Sequence, residues 1–159
     1  PHAALLAQGL RLLEELDDAT YREAASVRGW GCVGAQMRHV VEFYGCFLRG
    51  LPGGRIDYSA RPRRTDLERD RGGAAGAFAS VLDGLRELSP PALSGPLTVR
   101  DEDGAAWSAS SVGRELSFLL SHTVHHFALV RMMLAGSDLA VDADFGVASS
   151  TLRHWAERP

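Results

Sequence analysis

The sequence predicts an all-α protein: an antiparallel four-helix bundle with one long crossover and a short hairpin before the last long helix. Apolar residues recur at helical spacing in four segments of the chain, which is the pattern of helices that each bury one face. Breakers rich in glycine and proline separate several of these segments. Helices of this kind bury their apolar faces by packing against one another, which favours a bundle.

The first two helices are predicted from apolar spacing and from the breaker after the second. Residues 4–17 place leucines on one face and charged residues between them, as in an amphipathic helix. A second helical pattern runs from about Trp30 to Leu48 and stops at a glycine- and proline-containing breaker. An arginine-rich connector is expected over residues 51–65.

The third helix is predicted from a capping residue at its start and prolines at its end. Thr65 or Asp66 can cap a helix that begins near Leu67 and reaches about Leu88. Ser-Pro-Pro at residues 89–91 is expected to end it, because proline cannot continue a helix.

The fourth helix is predicted to be the longest. Residues 97–109 have the character of two short extended pieces around Asp103-Gly104, a hairpin turn signal. A serine at 110 or 111 then caps a helix that reaches Leu134, with a glycine just beyond its end. The remaining residues are expected to form a loop and a short terminal helix.

Length and composition limit the classes of function. The chain has 159 residues, which predicts a single domain over residues 1–159. Its formal net charge is -3, so no nucleic-acid partner is expected. No apolar run approaches the roughly 18 residues of a membrane span, so no membrane partner is expected. The absence of a signal-peptide pattern and of a cysteine framework predicts a cytoplasmic protein.

Histidines on the fourth helix form a candidate metal-binding pair. His122 and His126 are four residues apart, which places both imidazoles on one helix face, as in helical zinc sites. His125 is three residues from His122, and that spacing also permits a shared ion. Spacing alone therefore leaves the choice between His125 and His126 open.

The second helix contributes His39. Cys32 and Cys46 lie seven residues before and after it on the same stripe. Seven residues of helix rise about 10.5 Å, too far for either thiol to bind an ion together with His39. The two cysteines are therefore predicted to be small core residues.

Two carboxylates lie on the same helix faces as the histidines. Glu42 follows His39 by about one turn, and Glu115 precedes His122 by two turns. Either could accept an imidazole N–H or act as a general base, so both are candidate catalytic residues. The alternative is that each is a solvated helix residue.

Arginines near the histidines are candidates for binding a cofactor or an acidic substrate. The guanidinium group suits bidentate contact with carboxylates. The candidates are Arg38 beside His39, Arg61, Arg63 and Arg64 in the connector, and Arg114 at the head of the last long helix. Tyr58 could donate a hydrogen bond in the same pocket. Because all 17 basic residues of this chain are arginine, composition also explains an arginine cluster.

Several segments resemble the DinB-like family of metal-dependent bundle proteins. They are GAQMRHVVEFYGCFLRGL, IDYSARPRRTDLERD, SVGRELSFLLSHTVHHFALV and DFGVASSTL, in the order of the family, and they span about residues 31–152. The resemblance implies a four-helix bundle in which His39, His122 and His126 hold a metal ion. It thus implies His126, rather than His125, as the third ligand.

The chain departs from that family at three positions. Phe43 stands where relatives often have a second histidine, Arg64 where an acidic residue is expected, and Ser149 where proline is expected. None of the three is an implied ligand. The connector difference bears on the substrate, which is therefore not carried over from any relative.

The resemblance also implies a type of chemistry. Some relatives are transferases that use low-molecular-weight thiols, and another is a thiol-dependent isomerase. Three imidazoles leave open positions on a divalent ion, and Zn, Ni, Fe and Co all suit such ligands. We therefore expect a metal-dependent enzyme that acts on a small-molecule substrate, as a thiol-dependent transferase or as a hydrolase.

Two other classes of function fit the same residues. In the first, the chain is a non-catalytic metal-binding or stress-response bundle whose ion stabilises the core. In the second, the three histidines form a polar pocket that binds a small molecule without a metal. A homodimer is expected in each case, because helical bundles commonly pair through one helical face.

Overall fold

The computed structural model describes residues 1–23, 29–88, 95–104 and 106–157, and this part of the chain is mainly helical. Its helices are α1 (His2–Glu15), α2 (Asp18–Arg22), α3 (Val33–Gly50), α4 (Arg71–Arg86), α5 (Val112–Leu134) and α6 (Ser149–Ala156). Short 3₁₀ turns cover Leu51–Gly53 and Thr65–Glu68. The strands are β1 (Arg55–Asp57), β2 (Pro96–Arg100) and β3 (Ser108–Ser111). None of the described helices has the length and apolar character needed to cross a membrane.

The four long helices contact one another in pairs. Helix α1 packs against α4 and α5, and α3 packs against the same two helices. Their apolar faces form a shared core, whose fully buried members include Leu6, Leu13, Met37, Phe47, Phe78, Leu119 and Phe127. The helical part of the predicted all-α class is confirmed, since amphipathic spacing in the sequence corresponds to helices that bury one face.

Polar groups at the helix starts satisfy free backbone amides. The Ser111 hydroxyl accepts a hydrogen bond from the amide of Arg114 at 3.2 Å, which confirms a serine cap for α5. The predicted cap of the third helix is wrong. Thr65–Glu68 is a separate 3₁₀ turn, and α4 begins later because Asp70 accepts a hydrogen bond from the amide of Gly73 at 2.9 Å. The predicted stop at residues 89–91 lies outside the described residues.

A small sheet is added to the helices, so the all-α class is incomplete. Strands β2 and β3 pair antiparallel, with Leu97 opposite Ser110, where the hairpin is predicted. Strand β1 pairs with β2 in parallel, with Ile56 opposite Val99. This strand lies in the arginine-rich connector and has three residues, too few to show a period-two pattern. The pairing of β1 with β2 therefore could not be predicted from the sequence.

Gly34 allows α3 to approach the 3₁₀ turn at Thr65–Glu68. A Cβ at this position would lie 2.2 Å from the carbonyl oxygen of Glu68 and 2.8 Å from a ring carbon of Tyr21. Backbone atoms cannot yield as a flexible side chain can. We expect Gly34→Ala to lower the free energy of unfolding by about 1–3 kcal/mol, as overpacking does. Urea unfolding followed by circular dichroism measures this change.

Gly76 provides the matched control for this substitution. It lies within α4, and a Cβ there would meet nothing within 4 Å. Gly76→Ala is expected to raise the free energy of unfolding by up to about 1 kcal/mol, because alanine is the better helix former. Equal effects of the two substitutions would contradict the close approach at Gly34.

Candidate metal centre

Helices α3 and α5 bring three imidazoles together. His39 Nε2 lies 3.1 Å from His122 Nε2, and His126 Nε2 lies 3.1 Å from the same atom. The ligand atoms of the three residues all lie within 4.8 Å of one another, and each residue is half-buried. His125 is exposed and lies outside this group. The structure thus favours His126 where sequence spacing left the choice open.

The nitrogen positions fit a divalent ion. With metal–nitrogen bonds of about 2.1 Å, ligand nitrogens lie about 3.4 Å apart in a tetrahedral site and about 3.0 Å apart in an octahedral one. The two Nε2 distances of 3.1 Å fall between these values. The three histidines could therefore hold a metal ion.

His126 has the proton arrangement that a metal ligand needs. Its Nδ1 lies 2.6 Å from Oε1 of Gln36, an atom that can only accept. The orientation of that amide is set at its other end, where Gln36 Nε2 donates to the carbonyl of Trp30 at 2.6 Å. His126 therefore carries its proton on Nδ1 and presents the lone pair of Nε2 to the other two histidines.

His39 is contacted on its outer side by Arg61. The guanidinium Nη1 donates to His39 Nδ1 at 2.8 Å, and Nη2 donates to Glu102 at 2.7 Å. The Nε atom of Arg61 donates to the carbonyl of Tyr58 at 3.1 Å. The guanidinium carbon also lies 4.5 Å from the centre of the Phe43 ring, within the range of a cation–π contact. Arg61 is thus held at the edge of the site from several sides.

Hydrogen bonds alone cannot satisfy the three imidazoles. Gln36 makes His126 Nε2 an acceptor, and Arg61 makes His39 Nε2 a donor. The Nε2 atom of His122 can donate to Nε2 of His126 or accept from Nε2 of His39. A single imidazole nitrogen cannot do both. The Nδ1 atom of His122 is buried and has no hydrogen-bond partner among the residues that the structure describes. A cation bound by the three nitrogens would replace these hydrogen bonds once the His39 proton has moved from Nε2 to Nδ1, so the donor set fits a metal.

Aromatic rings close one side of the site. Phe43 lies one turn after His39 and packs against its ring and that of His122, with centroids 4.8 and 4.2 Å away. Phe118 lies one turn before His122, at 5.4 Å. Phe43, a position at which relatives often have histidine, therefore contributes an apolar wall rather than a ligand.

Burial keeps the three imidazoles neutral. Loss of solvation, together with repulsion from neighbouring imidazolium and guanidinium groups, lowers the pKa of His39 and of His122 to about 3. The same causes lower the pKa of His126 to about 4. Metal ions bind the neutral form of imidazole, so these side chains need not lose a proton to water before binding an ion at neutral pH.

Comparison with known proteins places the chain in a family. The family model described as the DinB superfamily matches residues 5–130, most of the chain. The chain belongs to the DinB superfamily. The matched part of this DinB protein includes all three histidines, and it ends shortly before the end of α5.

One curated protein is similar to part of this DinB protein. It is FK506-binding protein 5 of Rhizopus delemar, which is 32% identical over 104 residues. The match covers 62% of this chain and 27% of that protein, so the chain spans about a quarter of the relative's length. No solved structure matches the chain.

Glu42 of this DinB protein is buried beside the site but bonds to groups other than the histidines. One carboxylate oxygen accepts a hydrogen bond from the backbone amide of Arg64 at 2.6 Å. The other accepts from Arg38 at 3.1 Å, and Arg38 also donates to Glu68 at 2.7 Å. Glu42 therefore ties the connector to α3. Its catalytic role stays a prediction.

Glu115 is fully buried and joins α5 to the sheet region. Its oxygens accept hydrogen bonds from Tyr58 at 3.0 Å, from Ser110 at 2.5 Å and from Arg114 at 2.9 Å. Burial, followed by the charge of Glu115, raises the pKa of Tyr58, which therefore remains a hydrogen-bond donor. Within the described part of the chain, neither Glu115 nor Glu42 forms a hydrogen bond with the three imidazoles.

The predicted cofactor-binding residues differ in how close they come to the histidines. Arg61 bonds directly to His39, and its side chain is only 6% exposed. Tyr58 is buried beneath it and stacks on Phe43, with ring centroids 5.0 Å apart. Arg63 is exposed with a backbone φ of 50°, and its side chain has no polar partner among the described residues. Of these residues, Arg61 is the one that forms a hydrogen bond with a candidate metal ligand.

Two residues of the site were missed by sequence reasoning. Gln36 is polar and lies about one turn before His39 on α3, so its spacing was a usable signal. Glu102 lies in the loop between β2 and β3, and no spacing relates it to Arg61. Its role follows only from its contact with Arg61 in the folded chain.

Proposed function

We propose that this DinB protein binds one divalent ion through His39, His122 and His126 and catalyses a reaction of a small electrophile. The observation that carries the proposal is the number of ligands. Among the described residues, no further histidine, cysteine or carboxylate joins the three imidazoles. Three protein ligands leave positions open, which is characteristic of catalytic rather than structural zinc sites. Zn, Ni, Fe and Co all suit the three nitrogens.

A bound ion would supply Lewis-acid activation of a low-molecular-weight thiol or of water. The chain itself supplies orientation and shielding. Gln36 holds His126 with its lone pair toward the site, and Phe43 closes one side against solvent. Arg61 places a guanidinium beside His39, where it suits the carboxylate of a thiol cofactor or of a substrate. These parts support a thiol-dependent transferase or a hydrolase.

A second candidate function is a non-catalytic metal-binding or stress-response protein. The arrangement of Glu42 and Glu115 favours it, because both buried carboxylates are engaged in hydrogen bonds that join parts of the fold. An enzyme of this design would then need a proton acceptor other than Glu42 and Glu115, such as a basic group of the substrate. Both candidate functions include a bound metal ion, and only the first includes catalysis.

Other features accompany this proposal. We propose that the long helices form one antiparallel bundle within a single domain, that the protein is a cytoplasmic homodimer, and that nucleic acid and membrane are not its partners. The pairwise packing of α1, α3, α4 and α5 and the net charge of -3 support parts of this description. Light scattering distinguishes a dimer from a monomer.

Metal loading followed by a thiol assay tests the function. Protein freed of metal with a chelator is reloaded separately with Zn²⁺, Ni²⁺, Fe²⁺ or Co²⁺, and bound metal is measured by mass spectrometry. We expect one ion per chain. Loaded protein is then incubated with glutathione and a panel of alkyl halides, epoxides and esters, and both free thiol and ester cleavage are followed.

Metal-dependent loss of free thiol would support the transferase, and metal-dependent ester cleavage without thiol would support the hydrolase. One bound ion without either reaction across the panel would favour the non-catalytic candidate. Failure of all four metals to bind would contradict both functions.

A further inference from the structure

Arg61 and Gln36 impose opposite proton positions on two histidines of the same site. A guanidinium group has no acceptor, so the 2.8 Å contact from Arg61 requires a lone pair on His39 Nδ1. The single proton of a neutral imidazole is then on Nε2. Gln36 does the reverse at His126, whose Nδ1 holds the proton and whose Nε2 holds the lone pair.

This difference matters because a metal ion binds a nitrogen lone pair. His126 Nε2 offers one as it stands. His39 Nε2 offers one only when its proton moves to Nδ1, and a protonated Nδ1 then faces the N–H of Arg61 at 2.8 Å. Two N–H groups cannot bond to each other, so the Arg61–His39 hydrogen bond and metal binding through His39 Nε2 exclude one another.

Arg61 has other partners that remain when it leaves His39. Glu102 accepts from Nη2 at 2.7 Å, and the Tyr58 carbonyl accepts from Nε at 3.1 Å. The Phe43 ring lies under the guanidinium carbon at 4.5 Å. A small rotation of the guanidinium can therefore release His39 while the side chain stays in place.

We propose that Arg61 competes with the metal ion for His39, so that metal loading requires the Nη1 contact to His39 to break. This inference rests on the proposed metal site and adds a control on its affinity. The positive charge of the guanidinium acts in the same direction, because it lies in a largely buried position beside a cation site. After release, Nη1 is a free donor at the edge of the site, available to an anionic ligand of the ion.

Two substitutions with opposite expected effects test the competition. Arg61→Met keeps an apolar stem over Phe43 and removes the donors, so the affinity for Zn²⁺ should rise about tenfold or more. Gln36→Leu removes the acceptor that keeps the His126 proton on Nδ1, so the affinity for Zn²⁺ should fall about 10–100-fold. Arg86→Met, in the exposed part of α4, is the control and should leave the affinity unchanged. Competition with a chromophoric chelator measures all three.

A second measurement reads the proton positions directly in the wild-type chain. Long-range ¹H–¹⁵N spectra of chelator-treated protein are expected to show His39 with its proton on Nε2 and His126 with its proton on Nδ1. Addition of Zn²⁺ should move the His39 proton to Nδ1. This measurement does not depend on a variant that folds.

The outcomes separate this inference from the proposed function. An equal or lower affinity of folded Arg61→Met for Zn²⁺ would overturn the competition, as would a proton on His39 Nδ1 in chelator-treated protein. Absence of Zn²⁺ binding by wild type and by Arg61→Met would instead contradict the metal site. A wild type that fails to bind Zn²⁺ beside an Arg61→Met variant that binds it would support the competition in its strongest form.

Discussion

Replacing His126 with alanine is expected to raise the dissociation constant for Zn²⁺ by more than about 100-fold, because even an outer partner of a ligand contributes roughly 10–100-fold. His126 is one of three candidate ligands, and its Nε2 lies 3.1 Å from that of His122. Two imidazoles on separate helices would remain. Chelator competition and metal content after gel filtration measure the loss.

His125 is the matched control, since it is the neighbouring residue on the same helix. Its ring centroid lies 5.1 Å from that of His126, yet it is exposed and outside the group of candidate ligands. His125→Ala should change the dissociation constant less than about threefold, as expected for a surface substitution. Retention of Zn²⁺ by His126→Ala, or its loss from His125→Ala, would contradict the assigned set of ligands.

Replacing Phe127 with alanine is expected to lower the free energy of unfolding by about 3–5 kcal/mol, through lost burial and the cavity left behind. Phe127 is fully buried. Its ring stacks on Phe145, with centroids 4.7 Å apart and planes within 11°, and lies 6.3 Å from Phe78. These contacts join α5 to α4 and to the segment before α6. Guanidinium chloride unfolding measures the change.

Met132 is the control for this substitution, because it lies on the same helix and is 62% exposed. Met132→Ala should change the free energy of unfolding by less than about 0.5 kcal/mol. Phe127 packs into the core and is not among the candidate ligands, so folded Phe127→Ala should bind Zn²⁺ as wild type does. A loss of less than about 1 kcal/mol for Phe127→Ala would contradict the packing described.

Helices with a long apolar period were predicted closely. The fourth predicted helix, with a serine cap at 110 or 111 and its end at Leu134, corresponds to α5 at Val112–Leu134. Short elements, and helix starts with more than one possible capping residue, were predicted less accurately. Asp70 caps α4 in place of Thr65 or Asp66, because a 3₁₀ turn comes between. Strand β1 was not predicted, since three residues carry no periodicity.

The candidate site was likewise predictable from the sequence in one part and not in another. Spacing along one helix predicted that His122 could share an ion with a neighbour, because i, i+4 geometry is a local property. The partners of the three imidazoles were not predictable in this way. Gln36 and His126 are 90 residues apart, and Arg61 and His39 are 22 residues apart. Glu42 and Glu115 lie near ligands in sequence, yet their oxygens bond to other groups.

The sequence by itself determined the helical character of this DinB protein, its mild acidity and the histidines from which its candidate ligands come. These properties depend on residue types and on a repeat of 3.6 residues per turn, both of which can be read locally. Helical spacing left His125 and His126 as alternatives and the family resemblance favoured His126, but only the tertiary structure shows that His126 meets His39 and that Arg61 and Gln36 set opposite proton positions. Hydrogen-bond donors and acceptors are paired by position in space, which the order of residues along the chain does not specify.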